Sequence, residues 1–443
     1  MSFSFRFDPV ELPPEAKELR REVRAFLRQE AEAGTFSPDG GKGSFSREFS
    51  RKVGAKGWIG MTWPKKYGGH ERSHLERYVV TEEMLAARAP TRAHSTADRQ
   101  SGPVILRYGQ EEIRQKILPQ IASGELCFCI GLSEPNSGSD VFAASTRATK
   151  TEGGWLVNGR KIWTSGAHHA DYMIALLRTS PPTKENRRHG LTQFLVDMKT
   201  PGITTRPIIN LTGGHDFNEV VFDDAFLPDS HLIGDVDMAW KQATDELAYE
   251  RSGPDRWIET FPALVELVRR AGDEPSERLA EGIGREVAHL ATLRRMSLSV
   301  AGMLQAGKTP AVEAAVVKDL GTNFEQALPD KVRLLAPQIG DSEPDSNDDR
   351  FEEALRYATL IAPKLTIQGG TREVLRGIIA RGLGLRLADA GSETPFLPGQ
   401  RRDHRRLGRY PYLARPNDSL PDRPRLSRAH LSCDTQPAGS VRA

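Results

Sequence analysis

Two short segments of the chain combine small residues, hydroxyl groups and an aromatic ring in a way that suits a flat, partly polar ring. They are Ile-Gly-Leu-Ser-Glu-Pro-Asn-Ser-Gly-Ser-Asp at 130–140 and Val-Asn-Gly-Arg-Lys-Ile-Trp-Thr-Ser at 157–165. Small residues in the first segment let backbone amides approach a ligand without a side chain in the way. Trp163 can cover the face of the ring, and a hydroxyl at Ser133 or Ser165 can bond a ring nitrogen. The two segments therefore predict a site for a heteroaromatic ring.

Short strands must position these residues. Apolar residues alternate along 126–131, which is the period of a strand, and Glu134-Pro135 ends it. Trp155-Leu156-Val157 follows a turn and is typical of a second strand, and Lys161 to Ser165 forms a third. Asn158-Gly159 between them is a strong signal for a two-residue hairpin. The pattern predicts a small antiparallel sheet with a loop of small hydroxyl residues beside a tryptophan.

These segments resemble those of the acyl-CoA dehydrogenase family. There, a Ser/Thr-Glu-Pro-x-x-Gly-Ser-Asp segment and an Asn-Gly-x-Lys-x-Trp-x-Thr/Ser segment lie on the middle β-domain and hold the isoalloxazine of FAD. Their order and spacing agree here. Trp163 as a core residue beside a plain Gly-Ser turn is the alternative. The resemblance implies a flavin ring along the backbone of 130–133, Trp163 against its face, Ser165 near N5, and Ser139 where FAD meets the CoA of the substrate. The implied FAD contacts are Ile130, Leu132, Ser133, Ser139, Trp163, Thr164, Ser165 and Thr371.

The rest of the chain follows the family's three-domain α+β fold. We predict an N-terminal α-helical domain at 1–125, a middle antiparallel β-domain with the flavin-ring surface at 126–234, and a C-terminal α-helical bundle at 235–390. The bundle is predicted to include a helix from Trp257 to Arg270. An Arg-, Pro- and Ser-rich tail at 391–443 shows no periodicity and is predicted to be disordered. The tail is either a solvated end without a role or a segment that attracts an acidic partner.

Composition excludes several classes of function. The chain has 443 residues and a net charge of +2, which gives no general attraction to nucleic acid. Three cysteines do not make a disulfide framework, and Cys127-Phe128-Cys129 lacks the other ligands of a metal site. No apolar run reaches the roughly 18 residues of a membrane span, and the first residues do not form a signal peptide. We therefore expect a soluble cytoplasmic protein with no metal, no membrane segment and no nucleic-acid partner.

The family reaction removes a proton from the substrate Cα and a hydride from Cβ, and the hydride goes to flavin N5. A weakly acidic thioester α-proton calls for a carboxylate in a dry pocket and for hydrogen-bond donors on the thioester oxygen. Many family members carry that base as the Glu of a Glu-Gly-Thr segment near the C-terminus. Here the matching segment is Gln368-Gly369-Gly370-Thr371, and Gly369 stands at the carboxylate's place.

A smaller group of relatives, isovaleryl-CoA dehydrogenase among them, has the base in a Glu-Arg pair on the first helix after the β-domain. Glu250-Arg251 stands there. The resemblance therefore implies Glu250 as the catalytic base and Arg251 as the residue that orients it or the CoA portion. The Gly369 amide would donate to the thioester oxygen. The alternative makes Glu250 a solvated helix residue paired with a neighbouring arginine.

Two departures from the family pattern bear on substrate and assembly. Gly369 frees volume beside the Cα, which favours branched or bulky acyl chains, including sterol-derived thioesters. Homomeric relatives bind the ADP half of FAD across a dimer interface with Arg-x-x-Phe-Gly and Gln-x-x-Gly-Gly segments, and this chain has neither. It is then either half of a heteromer, as in actinobacterial members, or a non-catalytic subunit. A homodimer or homotetramer that completes the site without those segments stays open.

The electron acceptor is a further point on which the family divides. An electron-transferring flavoprotein is the expected partner of a dehydrogenase, whereas an acyl-CoA oxidase passes electrons to oxygen. The sequence barely separates these two alternatives.

Overall fold

The computed structural model describes part of the chain, namely residues 6–37, 45–183, 186–239, 242, 251–339 and 346–385. Glu250, on the first helix predicted after the β-domain, lies outside the described residues, and so does the predicted tail at 391–443. Helices come first, a sheet follows, and helices return, so the predicted order of elements is confirmed.

Among the described residues, the N-terminal part has six α-helices, most of which share one large apolar core. Helix α1 begins with Pro14 in its first turn, where the missing N–H costs nothing, and buries Leu19, Val23 and Phe26 at helical spacing. A π-helical turn, Ala97–Ser101, joins α4 to α5. The helices are α1 (Pro14–Glu32), α2 (Arg47–Ala55), α3 (His74–Ala86), α4 (Arg92–Thr96), α5 (Gly102–Tyr108) and α6 (Glu111–Ala122).

Within the described residues, the middle part forms one sheet of eight strands. They are β1 (Phe128–Gly131), β2 (Arg147–Thr151), β3 (Gly154–Ser165), β4 (Tyr172–Arg178), β5 (Leu191–Asp197), β6 (Ile203–Ile209), β7 (His215–Pro228) and β8 (Leu232–Ile233). Seven of them follow the order β6-β7-β3-β2-β4-β5-β8, and β1 pairs with β4. The main ladders are antiparallel, as predicted. Strand β4 departs from this because it runs parallel to β1 and, at one residue pair, parallel to β2.

The predicted hairpin at Asn158-Gly159 is wrong. Strand β3 runs through these residues, and the reversal lies one turn earlier, at Gly153 with a φ of 70°. Both halves of β3 pair with β7, so a reversal at Asn158 would break that ladder. The register shifts at this point instead, between Val157 and Gly159. A Cβ on Gly159 would lie 2.8 Å from the Thr146 Cα, so the glycine serves a bulge and a close backbone approach.

The C-terminal part is a bundle of helices α7 (Phe261–Ala271), α8 (Glu277–Gln305), α9 (Ala311–Leu335), α10 (Ser346–Leu365) and α11 (Arg372–Gly382). Helix α7 starts at Phe261 rather than at the predicted Trp257. A proline fits only the first turn of a helix, and Pro262 occupies that turn. Trp257, with a φ of −151°, follows the short 3-10 turn Pro254–Arg256. Among the described residues, no helix is long and apolar enough to cross a membrane.

The apolar cores show how the parts join. The core of the N-terminal helices extends into the sheet through Phe128, Ile174 and Leu195. The sheet has a second core on its other side, and the bundle packs around its own. The N-terminal helices and the sheet are thus held together by shared apolar packing, which fixes the strand ends that carry the predicted site.

Candidate flavin and substrate site

The end of β1 and the loop that continues it form one wall of the candidate site. Strand β1 has β4 on one edge and no strand neighbour among the described residues on the other. The Ser133 carbonyl accepts a hydrogen bond from the Ile162 amide at 2.9 Å, which holds the loop against β3. Within the described residues, no backbone hydrogen bond occupies the amides of Leu132 and Ser133. This edge, which also carries Ile130, therefore offers backbone donors to a ligand.

A bulge in β3 exposes the predicted ring-covering residue. The β3–β7 register shifts between Lys161 and Thr164, and Trp163 has a φ of 58°. Its side chain is 58% exposed, and its edge packs on the Phe217 ring with centroids 5.9 Å apart and planes at 83°. A positive φ is costly for a bulky residue, so it persists only where the surroundings impose it. The strand thus exposes a large indole face that does not contribute to packing of the apolar core.

The two residues after Trp163 face different ways. Ser165 is exposed, as a hydroxyl for a ligand would be. Thr164 is 1% exposed, its carbonyl accepts from Asn218 at 3.0 Å, and its hydroxyl has no hydrogen-bond partner within the described part of the chain. The structure therefore brings Trp163 and Ser165 to the surface and places the Thr164 side chain in the core. Ser139 is exposed in the loop after Glu134-Pro135, and its predicted role stays a prediction.

A buried ion pair ties the two segments together. The Lys161 Nζ lies 2.7 Å from the Glu134 Oε1, and the two side chains are 0% and 4% exposed. The same carboxylate accepts from the amides of Ser145 at 2.7 Å and Thr146 at 3.0 Å, and Lys161 also donates to the Leu132 carbonyl at 3.3 Å. Burial alone raises the pKa of Glu134, but the ammonium and these hydrogen bonds outweigh it and lower the pKa to about 2. Glu134 lies in the first sequence segment and Lys161 in the second. Nothing in the two segments indicated that these side chains form a buried pair.

The loop between α10 and α11 is the second wall of the candidate site. Gly369 and Gly370 both have left-handed backbones, with φ of 68° and 99°. Arg251, which is 6% exposed, donates from Nε to the Gly369 carbonyl at 3.3 Å. Thr371 caps α11, because its Oγ1 accepts from the Val374 amide at 3.4 Å. The structure thus brings the predicted Arg251 and Gly369 together, while Glu250 lies outside the described residues.

Contacts between β7 and α10 connect the wall at Trp163 with the wall formed by the glycine loop. The Lys364 Nζ at the end of α10 lies 5.9 Å from the centroid of the Phe217 ring, which packs on Trp163. Next to Phe217, Asp216 pairs with Arg92 of α4. Lys364 also lies 3.8 Å from Glu259, just before α7. Helices from both ends of the chain therefore meet the sheet at Trp163, and the glycine loop follows α10 directly.

Histidines given no role by the sequence reasoning stack beside this bulge. The rings of His168 and His215 lie 3.9 Å apart at 16°, and those of His169 and Phe45 lie 4.0 Å apart at 18°. Burial and neighbouring cationic groups lower the pKa of His168 and His169. The lowered pKa favours the neutral form of His168 and His169, and the stacked rings pack as flat aromatic groups. In the sequence only His168 and His169 are adjacent, and this adjacency does not predict that their rings stack on the distant His215 and Phe45.

Comparison with known proteins places this architecture in a family. Residues 13–125 match the acyl-CoA dehydrogenase N-terminal domain, and residues 129–225 match the acyl-CoA dehydrogenase middle domain. Acyl-CoA dehydrogenase IpdE1 of Mycobacterium tuberculosis is 30% identical over 391 residues, which cover 84% of this chain and 98% of IpdE1. The chain belongs to the acyl-CoA dehydrogenase family.

Two further relatives show how the likeness extends. Acyl-CoA dehydrogenase FadE34 of Mycobacterium tuberculosis is 32% identical over 331 residues, which cover 74% of this chain but 45% of FadE34. The chain thus spans less than half the length of that relative. A solved structure described as the Tcur3481-Tcur3483 steroid ACAD matches with a TM-score of 0.75 and 27% identity, covering 86% of this chain and 100% of that one.

The surface around Trp163 fits the cofactor of this flavoprotein family. An isoalloxazine ring has a flat apolar face and a polar edge, and the exposed indole of Trp163 suits the face. The uncommitted amides of Leu132 and Ser133 suit the polar edge, and the exposed Ser165 hydroxyl lies on the strand next to Trp163. The residues present are therefore compatible with FAD.

The ion pair yields a stability prediction. Replacing Glu134 by Gln leaves the Lys161 ammonium buried and unpaired, so we expect a loss of about 3–5 kcal/mol in the free energy of unfolding, measured by urea denaturation at pH 7. Glu219→Gln is the matched control. Glu219 is also a β-sheet carboxylate, but it pairs with the exposed Arg160 and Arg206 at 3.2 and 3.4 Å, so we expect less than about 1 kcal/mol. Equal losses in the two variants would contradict the assignment.

The same pair predicts a pH dependence. The folded pKa of Glu134, about 2, lies below the ordinary value of 4.5, so the carboxylate stabilises the fold fully above about pH 5. That contribution is lost as the pH falls from 4.5 toward 2. The gap in unfolding free energy between the native chain and Glu134→Gln should therefore narrow over this range, in urea titrations at successive pH values. A constant gap would show that Glu134 does not titrate with the fold.

Proposed function

We propose that this chain carries out the FAD-dependent α,β-dehydrogenation of an acyl-CoA thioester. The observation that carries the proposal is the exposed face of Trp163 beside the loop that continues β1, where the amides of Leu132 and Ser133 have no backbone hydrogen bond within the described residues. FAD, when bound, supplies the acceptor for the substrate hydride. The residues proposed to hold its ring are those of 130–133 with Trp163 and Ser165, and Ser139 and Thr371 are proposed for the remainder of FAD and the CoA.

Glu250 is the proposed base for the substrate Cα proton. What supports this is its chain neighbour: Arg251 is buried and donates to the carbonyl of Gly369, the residue at the place of the usual carboxylate. A cation beside a carboxylate favours the ionised form that a base needs at neutral pH. Arg251 is thus proposed to orient Glu250, the CoA portion or both.

The amide of Gly369 is the proposed donor to the thioester oxygen. Removal of the Cα proton places negative charge on that oxygen, and a fixed donor lowers the barrier most when it needs no rearrangement. The loop supports this role because Arg251 holds the Gly369 carbonyl, which limits movement of a residue that has no side chain of its own.

The base assignment predicts that Glu250→Gln keeps its flavin but loses dehydrogenation by about 10³-fold or more in kcat, since the amide cannot take the proton. Turnover is measured with an artificial electron acceptor, and flavin content by visible absorption. Glu219→Gln, which changes a sheet carboxylate in exposed pairs with Arg160 and Arg206, is the control and should turn over normally. Near-normal turnover in Glu250→Gln would move the base elsewhere.

Gly369 supports a second proposal, that the acyl group is branched or bulky, including sterol-derived chains. The glycine removes a side chain beside the proposed Cα position, and one structural neighbour is described as a steroid ACAD. We expect kcat/KM at least about tenfold higher for branched or polycyclic acyl-CoA than for straight chains of equal carbon number, because the extra volume is filled only by the former. If kcat/KM is highest for straight-chain acyl-CoA across the substrate series, this proposal is wrong.

A related subunit is proposed to supply the ADP-binding segments that this chain lacks. The chain lacks the Arg-x-x-Phe-Gly and Gln-x-x-Gly-Gly segments, and the neighbour named above is described by two different protein names. A second subunit would supply the donors for the pyrophosphate, while this chain supplies the ring surface and Glu250. Electron-transferring flavoprotein is the proposed acceptor, and peroxide formation in air would indicate an oxidase instead. A purely structural subunit would show no turnover in any assembly.

The visible spectrum and native mass of the chain expressed alone test this assembly. We expect a colourless or unstable protein that gains about one flavin per completed site when it is co-expressed with a relative carrying both segments. A yellow protein alone, with one flavin per chain, would mean that a homo-oligomer completes the site. Trp163→Ala in the co-expressed assembly should lower flavin content, whereas Trp155→Phe, a change in the sheet core, should not.

A further inference from the structure

Lys318 is a buried cation that reaches the loop at the proposed site. It lies on α9 with 0% exposure, and its Nζ donates to the Gly370 carbonyl at 2.5 Å. Arg251 donates to the Gly369 carbonyl at 3.3 Å. Two cations from different parts of the chain therefore hold two consecutive carbonyl groups.

The glycine pair needs such an anchor. Both residues have positive φ, and neither has a side chain that could pack. Glycine loses more conformational freedom on ordering than any other residue, so an isolated Gly-Gly pair would sample many backbone conformations. On its C-terminal side the loop is fixed by the Thr371 cap of α11, and a Cβ on Gly370 would already lie 3.4 Å from the Arg251 Nη2.

The surroundings of Lys318 extend the anchor to the next helix. Asp319, its neighbour on α9, lies 3.5 Å from the nitrogens of both Arg372 and Arg376 on α11. A buried ammonium is tolerated only where it is hydrogen-bonded and paired, and a charge-assisted bond to a carbonyl is stronger than a neutral one. Adjacent residues of α9 thus hold both the glycine loop and the first turns of the helix that follows it.

We propose that Lys318 is a positioning residue for the dehydrogenation, and this rests on the proposed function. Together with Arg251 it fixes the Gly369–Gly370 backbone, so that the Gly369 amide stays directed at the thioester oxygen. Lys318 does not touch the reacting atoms. Lys318 keeps the loop ordered. Through the loop it affects how well the negative charge that develops on the substrate is stabilised.

Hydrogen–deuterium exchange of the full chain tests the positioning directly. In Lys318→Met we expect the amides of 368–371 to exchange at least about tenfold faster than in the native chain, because one of the two carbonyl anchors is lost. Lys331→Met is the control. It removes another α9 lysine, paired with Glu286 at 2.8 Å, and should leave exchange at 368–371 unchanged. Unchanged exchange in Lys318→Met would overturn the proposal.

Kinetics separate a positioning role from a purely structural one. In the flavin-loaded assembly, Lys318→Met should lower kcat by about 10²-fold while KM changes by less than about threefold, since a displaced donor acts mainly in the transition state. Lys318→Arg, which keeps a cationic donor, should recover part of kcat. Faster loop exchange with an unchanged kcat would overturn the proposal, because Lys318 would then serve stability alone.

Two outcomes keep the test independent of the variant's folding and of the proposed function. If Lys318→Met does not fold, the native chain decides: segment 368–371 must exchange much more slowly than an unstructured peptide, and free exchange overturns the proposal. If the native assembly dehydrogenates no acyl-CoA, the proposed function fails, and with it the catalytic part of the proposal. Slow exchange that depends on Lys318 would then support the anchor alone.

Discussion

The buried ion pair between Lys161 and Glu134 is the constraint on which the candidate flavin surface depends. It joins the loop after β1 to the centre of β3, and the same carboxylate collects the amides that lead into β2. A buried charge pair of this kind adds little net stability relative to an apolar pair, but leaving either charge alone is costly. It therefore selects one arrangement of the three segments. In that arrangement the amides beside Leu132 and the indole of Trp163 belong to a single surface.

The N-terminal helices, the sheet and the C-terminal bundle all contact the wall at Trp163. Asp216 pairs with Arg92 from the N-terminal helices, and Phe217, the next residue, packs on Trp163 and lies below Lys364 of the bundle. Each part of the chain thus contributes one element to the same region. The surface is thus held by contacts from all three parts of the chain, while the indole stays 58% exposed and open to a ligand.

Local patterns predicted the elements well and their connections less well. Helix α1 has Pro14 in its first turn and a buried apolar stripe, so period and punctuation can place it, because both are local signals. Asn158-Gly159 carries the strongest turn signal in the sheet, yet the pairing of both halves of β3 with β7 overrides it. Strand β2, with its exposed Arg147 and Lys150, has little apolar character, so no pattern indicated it. Long-range pairing decided both cases.

The candidate site divides in the same manner. Trp163, Ser165 and Gly369 came from the family resemblance, and in the structure Trp163 and Ser165 are exposed. The partners of buried charges could not be predicted. Lys318 is 52 residues before Gly370 in the chain, and nothing in an apolar helix pattern says which carbonyl its ammonium will reach. Pairings of this kind are set by the packing of helices α9 and α11, which only the fold supplies.

A glycine at the proposed place of a catalytic carboxylate has a structural consequence beyond the loss of a base. A Glu at position 369 would bring a side chain that can itself hydrogen-bond and so help to order its loop, whereas Gly369 and Gly370 can be ordered only through their backbones. Backbone carbonyls are best held by cationic donors, and the chain brings Arg251 and Lys318 to these two carbonyls. The volume proposed for a bulky acyl group and the need for a cationic anchor thus have one cause. A site with its base proposed on a different helix holds the glycine loop by charges from elsewhere in the fold.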